Sequence, residues 1–195
     1  MRSRKPARRN PEETAAALLN AAEIEFNARG FHGTDTNRIA RRAGYAPQTF
    51  YRHYADKTAV FLAVYERWWK AESEAIGAIL RVRGRAGLGK VADTMMGFHV
   101  KWRGFRRSLR HLSVEDDQVR AARTRARKAQ IATSKALLPQ SGRSDAEIYA
   151  SLLVFERLCD AAAEREFADM GLPKKSARDV VVAALQAAYG KGQVF

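Results

Sequence analysis

Between Thr34 and Lys57 the chain reads TDTNRIARRAGYAPQTFYRHYADK. Its polar side chains sit where they can touch base edges and the phosphates between them. Phe50 and Tyr54 stand four residues apart and take the inward side of a helical turn. Gln48, Thr49, Tyr51, Arg52 and His53 are left on its flanks and outer face. Amides, hydroxyls and guanidinium groups are the donors and acceptors that match base edges in a major groove. Bond-making chemistry has no comparable support. The sequence lacks a glycine-rich phosphate loop, an HExxH or a GxSxG, and no pair of carboxylates stands out. His32, His53, His99 and His111 are scattered, and a His99–His111 pair has neither cysteine nor carboxylate at ligand spacing. No metal, cofactor or enzymatic activity is expected.

These side chains need two helices to carry them. Asp35 is placed to cap the first, whose apolar residues Ile39, Ala40 and Ala43 share one face. Gly44 ends it, because a sharp turn between packed helices calls for a positive φ that glycine adopts without a Cβ clash. Pro47 suits the first position of the second helix, where its fixed φ is already helical and its missing N–H has no partner to lose. Spacing alone fits two readings: a helix-turn-helix that places its second helix in a DNA groove, or two packed helices of an ordinary all-α domain.

Residues 12–69 resemble the DNA-binding domain of TetR-family transcriptional regulators. The likeness rests on AA-x-x-x-F-x-x-x-G-F at 21–31, IA-x-x-AG at 39–44 and TFYRHY-x-x-K from Thr49 to Lys57, the last being the most specific. Two positions depart from the pattern: Ala46 stands where a serine or threonine cap is usual, and Tyr45 where a small aliphatic follows the turn glycine. The resemblance implies an all-α fold with a three-helix N-terminal domain on a helical bundle for ligand binding and dimerisation. It also implies a regulator, expected to be a repressor that binds a palindromic operator in double-stranded DNA as a homodimer and is released by a small-molecule effector. Together with the geometry it places Pro47, Gln48, Tyr51 and Arg52 near base edges, with Asn37 as a further reader. Thr36, Thr49, His53 and Lys57 fall to phosphates. Two readings from other classes stand beside this one: an architectural DNA-binding protein without ligand control, and an enzyme built on a helical bundle.

The chain divides on this reading into a basic arm (1–10), the helix-turn-helix domain (11–56) and a regulatory and dimerisation domain (57–195). Asn10 caps a first helix with the inner stripe Ala15, Leu18, Leu19, Ala22 and Phe26, closed by Gly30. Asp56 starts a long helix expected to reach Leu80, and RVRGRAG at 81–87 reads as a loop. Gly104 is expected to interrupt the following helix, Pro139 to Ser144 to form a turn, and a helix from Ser144 or Asp145 to end near Gly171. An aromatic and methionine set, Trp68, Met95, Phe98, His99, Trp102 and Phe105 with Phe155, marks the expected effector pocket. The final apolar helix and the one before it offer Leu152, Phe155, Cys159, Val181, Ala184, Leu185 and Ala188 to a second subunit. Cys159 is the sole cysteine and reads as a small buried hydrophobe. No stretch approaches the roughly 18 apolar residues of a membrane span and no signal sequence is evident, so a cytoplasmic location is expected. The formal charge of +14 is uneven, with 14 basic and 4 acidic side chains between residues 81 and 130. There Arg103, Arg106, Arg107 and Arg110 form a basic face open to three readings: solvated surface, phosphate contacts, or attraction of an anionic ligand.

Overall fold

The computed structural model describes residues 10–137 and 142–189. Regular structure among them is helical throughout: α1 (Pro11–Arg29), α2 (Thr36–Arg42), α3 (Pro47–Phe50), α4 (Lys57–Arg83), α5 (Leu88–Lys101), α6 (Arg103–Glu115), α7 (Asp117–Leu137), α8 (Asp145–Ala163), α9 (Glu166–Asp169) and α10 (Lys174–Tyr189). The chain forms two compact units, residues 1–65 and 66–195. Their division falls inside α4 rather than at its start. The basic arm as far as Arg9 and the expected turn at Pro139 lie outside the described residues.

In the first unit, Asn10 accepts a hydrogen bond from the Glu12 amide at 3.1 Å and Pro11 enters the first turn of α1. Gly30 ends the helix with φ 71°, and its amide donates to the Phe26 carbonyl at 2.9 Å. The chain then doubles back, so that Phe31 stacks on Phe26 with ring centroids 5.9 Å apart and meets Phe61 edge-on at 5.3 Å. Leu18, Phe26, Ile39, Phe50, Val60 and Phe61 are wholly buried and form the core on which α2 and α3 rest. Each large apolar side chain so buried contributes about 1.5–3 kcal/mol.

In the second unit, α5, α8 and α10 share a core of Leu88, Val91, Ala92, Phe155, Cys159, Val181 and Leu185. Three boundaries differ from expectation. The α4 helix continues to Arg83 and passes into a 3-10 turn at Gly84–Gly87, where a loop was expected. The break between α5 and α6 falls at Trp102 (φ −109°, ψ 18°), not at Gly104. There the buried indole lies edge-on to Phe105 at 5.8 Å, so tertiary anchoring of an aromatic sets the bend. α8 begins as expected at Ser144, whose hydroxyl and the Glu147 carboxylate form a reciprocal capping box. It ends at Ala163 rather than near Gly171, because Arg165 turns the chain with a left-handed φ of 70° before the single turn of α9.

Candidate nucleic-acid interface

The motif is assembled by short-range hydrogen bonds. Asp35 Oδ1 accepts the Arg38 amide at 2.7 Å and starts α2. Gly44 adopts φ 78°, and a Cβ added there would find open space, so the glycine answers a backbone requirement and not crowding. The Tyr45 amide then donates to the Ala40 carbonyl at 2.9 Å and closes the turn. α3 is a single turn starting at Ala46 with no side-chain cap, as the departure at that position implies. Its helical path is prolonged by the Tyr54 amide donating to the Phe50 carbonyl at 3.0 Å. Phe50 is wholly buried, and the Tyr54 hydroxyl donates to the Ala15 carbonyl of α1 at 3.4 Å, fixing the turn to its brace.

This anchoring leaves Asn37, Gln48, Tyr51 and Arg52 exposed, with Thr36, Pro47, Thr49 and His53 half-buried beside them. The Tyr51 and Thr36 hydroxyls hydrogen-bond to each other at 2.9 Å across the face, and the Tyr51 ring meets Phe50 edge-on at 5.4 Å. Tyr51 is 57% exposed yet held at both ends of its ring, which lowers the entropy lost when it is ordered against a partner. Two features change the sequence-based picture. Lys57, expected at a phosphate, donates from Nζ to the carbonyls of Phe31 (2.9 Å) and Thr34 (3.1 Å) and lies 4.2 Å from the centre of the Phe31 ring. Burial lowers its pKa from the ordinary lysine value, partly offset by Asp35. It clamps the entry to α2. Glu25, absent from the expected inner stripe of α1, is buried and accepts from Thr34 Oγ1 at 3.2 Å while holding Arg42 (2.5 Å), Arg38 (3.0 Å) and Arg29 (3.4 Å). Burial pushes its carboxyl up, and the Arg42 and Thr34 hydrogen bonds, with the nearby guanidinium charges, more than offset this and hold it below the usual carboxylate range. The sequence signal for this hub was Glu25 itself, an acid one residue before the buried Phe26 and on the same side of α1.

Two short helices locked at a glycine turn, braced by a third and presenting a polar outer face, define a helix-turn-helix domain. Residues 18–64 match the family model described as bacterial regulatory proteins, tetR family. The HTH-type transcriptional activator FasR of Mycolicibacterium smegmatis is 38% identical over 56 residues, 29% of this chain and 26% of that protein. An HTH-type transcriptional repressor of Streptomyces coelicolor is 38% identical over 61 residues, 31% of this chain and 32% of that protein. The chain thus spans about a quarter to a third of the curated relatives it matches. Among solved structures, a TetR-family transcriptional regulator from Streptomyces coelicolor superposes with a TM-score of 0.69 at 20% identity, over 97% of this chain and 96% of that one, which is a likeness of fold. Residues 18–64 are thus similar to the N-terminal domain of the tetR family of bacterial regulatory proteins, and the rest of the chain shares the fold of solved TetR-family structures.

The second unit places the expected pocket residues differently from a ligand-lined cavity. Trp68, His99, Trp102, Phe105 and Phe155 are buried, Met95 and Phe98 half-buried, and around the first of them lies an ionic core. Arg106, expected on a basic outer face, is 1% exposed. Its guanidinium carbon lies 4.8 Å from the centre of the Trp68 ring, Nε donates to Asp160 at 2.7 Å, and an η nitrogen donates to Glu156 at 2.5 Å. Arg110 completes the Asp160 site at 2.6 Å and reaches Glu164 at 2.5 Å, whereas Arg103 and Arg107 stay exposed. The basic face therefore splits into an inner and an outer pair. His99 Nδ1 lies 2.8 Å from Asp160 and its Nε2 3.7 Å from Glu72. Burial lowers the His99 pKa to about 4 despite Asp160, so the ring is neutral and Nδ1–H donates to the carboxylate. Burial pushes Glu72 up to about 7 against the opposing charges of Arg106 and Arg127. Burial also raises the Cys159 thiol to about 12, which fits a packing role. Of the residues expected at a subunit interface, Phe155, Cys159, Val181 and Leu185 instead fill the chain's own core, because α5 packs against both α8 and α10. Leu152 and Ala184 are half-buried, and the side chain of Ala188 lies outside the described residues. Among the described residues, the large apolar side chains exposed on α8 and α10 are Tyr149, Leu153, Val154 and Val180.

Proposed function

We propose that this chain is a DNA-binding transcriptional regulator, a repressor that grips an inverted-repeat operator as a homodimer and lets go when a small molecule binds its second unit. The observation that carries the reading is the exposed set Asn37, Gln48, Tyr51 and Arg52, held on a helix-turn-helix whose inward residues are fully committed to packing. Gln48 offers an amide for bidentate contact and Arg52 a guanidinium fork, the two groups best matched to purine edges. Thr36, Thr49 and His53 flank them toward phosphates, and Lys57 supports the site as a clamp with one N–H left over for a phosphate. Relatives named as an activator and as a repressor share this domain, and repression is the simpler outcome of occupying an operator. Exposed Val154 and Val180 supply the apolar contact for a second copy, in place of the buried residues expected from sequence.

Footprinting on the DNA upstream of the chain's own gene tests this reading. A single protected inverted repeat is expected, and Gln48→Ala should flatten base preference there by about tenfold while leaving non-specific binding intact. Even coverage without a preferred site would favour the architectural reading instead. Sedimentation should give a dimer at micromolar concentration, and operator binding by a monomer would overturn the paired-head geometry.

A further inference from the structure

A groove of about 470 Å³ runs between α7 and α8, with Ser113 of α6 at one end. Its floor on α7 is a helical ladder, Arg120, Arg123, Arg127 and Ile131, with Thr124 and Lys128 alongside, and its far wall is Tyr149 and Leu153 of α8. Four cations and no carboxylate line it. Two carboxylates outside the lining pair with these cations: Asp117 holds Arg120, and Glu156 is shared by Arg123 (2.8 Å), Arg127 and the buried Arg106. The four lining cations outnumber the two carboxylates, Asp117 and Glu156, which leaves the groove net positive, and the low-dielectric wall of packed helices strengthens its field. The groove is also graded. Ser113, Arg120 and Arg123 lie at one end, and Ile131, Tyr149 and Leu153 at the other, because α7 meets Glu156 with its first half and the start of α8 with its second.

We infer that this groove binds a small organic anion with an apolar body, its carboxylate, sulfonate or phosphate at the Ser113–Arg120–Arg123 end and its body against Ile131, Tyr149 and Leu153. The volume falls within the range of small-molecule sites, and arginine forks suit a planar oxyanion. A phosphate backbone would not use the apolar wall. The site deepens the effector reading given above and rests on it for its regulatory consequence, although binding itself does not.

The test uses the full chain and a matched pair of dyes, 8-anilinonaphthalene-1-sulfonate and its uncharged parent N-phenyl-1-naphthylamine, titrated by fluorescence. The sulfonate should bind about tenfold more tightly than the parent, as one charge-assisted hydrogen bond implies. Arg120→Gln combined with Lys128→Gln, both at exposed positions apart from Glu156, should lower sulfonate affinity about tenfold and leave the parent unchanged. Tyr149→Ser should weaken both. Equal affinity for the two dyes, a double variant that binds the sulfonate like wild type, or no binding of either dye overturns the site. So does displacement of the sulfonate by duplex DNA of unrelated sequence, which would make the groove a polyanion contact. Release of a labelled operator is read separately by anisotropy. Sulfonate bound as expected with the operator still held removes the effector role and keeps the site. A chain that binds no operator removes the regulator reading, and the dyes alone then decide the site.

Discussion

Replacing Arg106 with methionine keeps an unbranched stem as far as the ε position and removes the charged guanidinium that lies over Trp68. Three hydrogen bonds disappear: two to Asp160, at 2.7 and 3.1 Å, and one to Glu156, at 2.5 Å. The two carboxylates are left unequally placed. Glu156 keeps Arg123 and Arg127, so its loss is small. Asp160 is 2% exposed and keeps only the neutral His99 and the partly exposed Arg110. Breaking a buried ion pair from one side costs about 3–5 kcal/mol, and the remaining partners put Arg106→Met near the lower end, about 3 kcal/mol. That is a large part of the ordinary stability of a domain. Urea unfolding followed by tryptophan fluorescence suits the measurement, because Trp68, Trp69 and Trp102 all lie in the second unit. Arg106→Lys should recover less than half of the loss, since an ammonium cannot span Asp160 and Glu156 as the planar fork does. Adding Asp160→Asn to Arg106→Met should show coupling of about 2 kcal/mol. A loss below about 1 kcal/mol for Arg106→Met, or additive single effects, would refute the account of the ionic core.

Other perturbations have equally definite expectations. Glu72 holds a proton in the folded chain up to about pH 7 that the unfolded chain releases near its ordinary value of 4.5, so its contribution is complete below that value and fades as pH rises through 7. The stability of Glu72→Gln relative to wild type should therefore climb between pH 4.5 and 8, by about 3 kcal/mol in all at ~1.4 kcal/mol per pKa unit; a flat difference would sink the assignment. His99, depressed to about 4, works in the opposite sense between its unfolded value of 6.5 and pH 4, and this contribution largely cancels in the difference. Lys57→Met should lower the stability of the first unit by about 2 kcal/mol through its two carbonyl partners, seen in thermal circular dichroism, whereas a pure phosphate contact would leave stability unchanged. Glu25→Gln should destabilise the same unit by about 3 kcal/mol, because Arg29, Arg38 and Arg42 lose their common counter-charge. Gly44→Ala should cost about 1 kcal/mol from its positive φ alone, with no steric penalty added.

The readable parts of the sequence were those whose causes are local. Asn10, Asp35, Gly44 and Ser144 each act within four residues of themselves, so the caps and the turn could be placed from the chain alone. The exposed face around Gln48, Tyr51 and Arg52 followed because Phe50 and Tyr54 declare the inward side. What stayed hidden depended on distant partners. Arg106 lies beside the inward residues Phe105 and Leu109, and only carboxylates fifty and more positions away on α8 decide that it turns in rather than out. The inward stripes of α8 and α10 looked in excess of one bundle because α5, which covers them, lies far off in sequence. The bend at Trp102 and the left-handed Arg165 carry no glycine or proline to announce them.

The ionic core also limits how this bundle can drift in evolution. His99, Arg106, Glu156 and Asp160 come from α5, α6 and α8 and are joined by hydrogen bonds, with the largely protonated Glu72 of α4 3.7 Å from His99. Losing Arg106 alone leaves the Asp160 charge poorly matched, yet exchanging the buried ionic set for well-packed apolar side chains is often neutral or even stabilising. The two solutions are thus separated by intermediates less stable than either. Descendants of this chain should carry Arg106 and Asp160 together or lose them together, and lineages holding one without the other should be scarce.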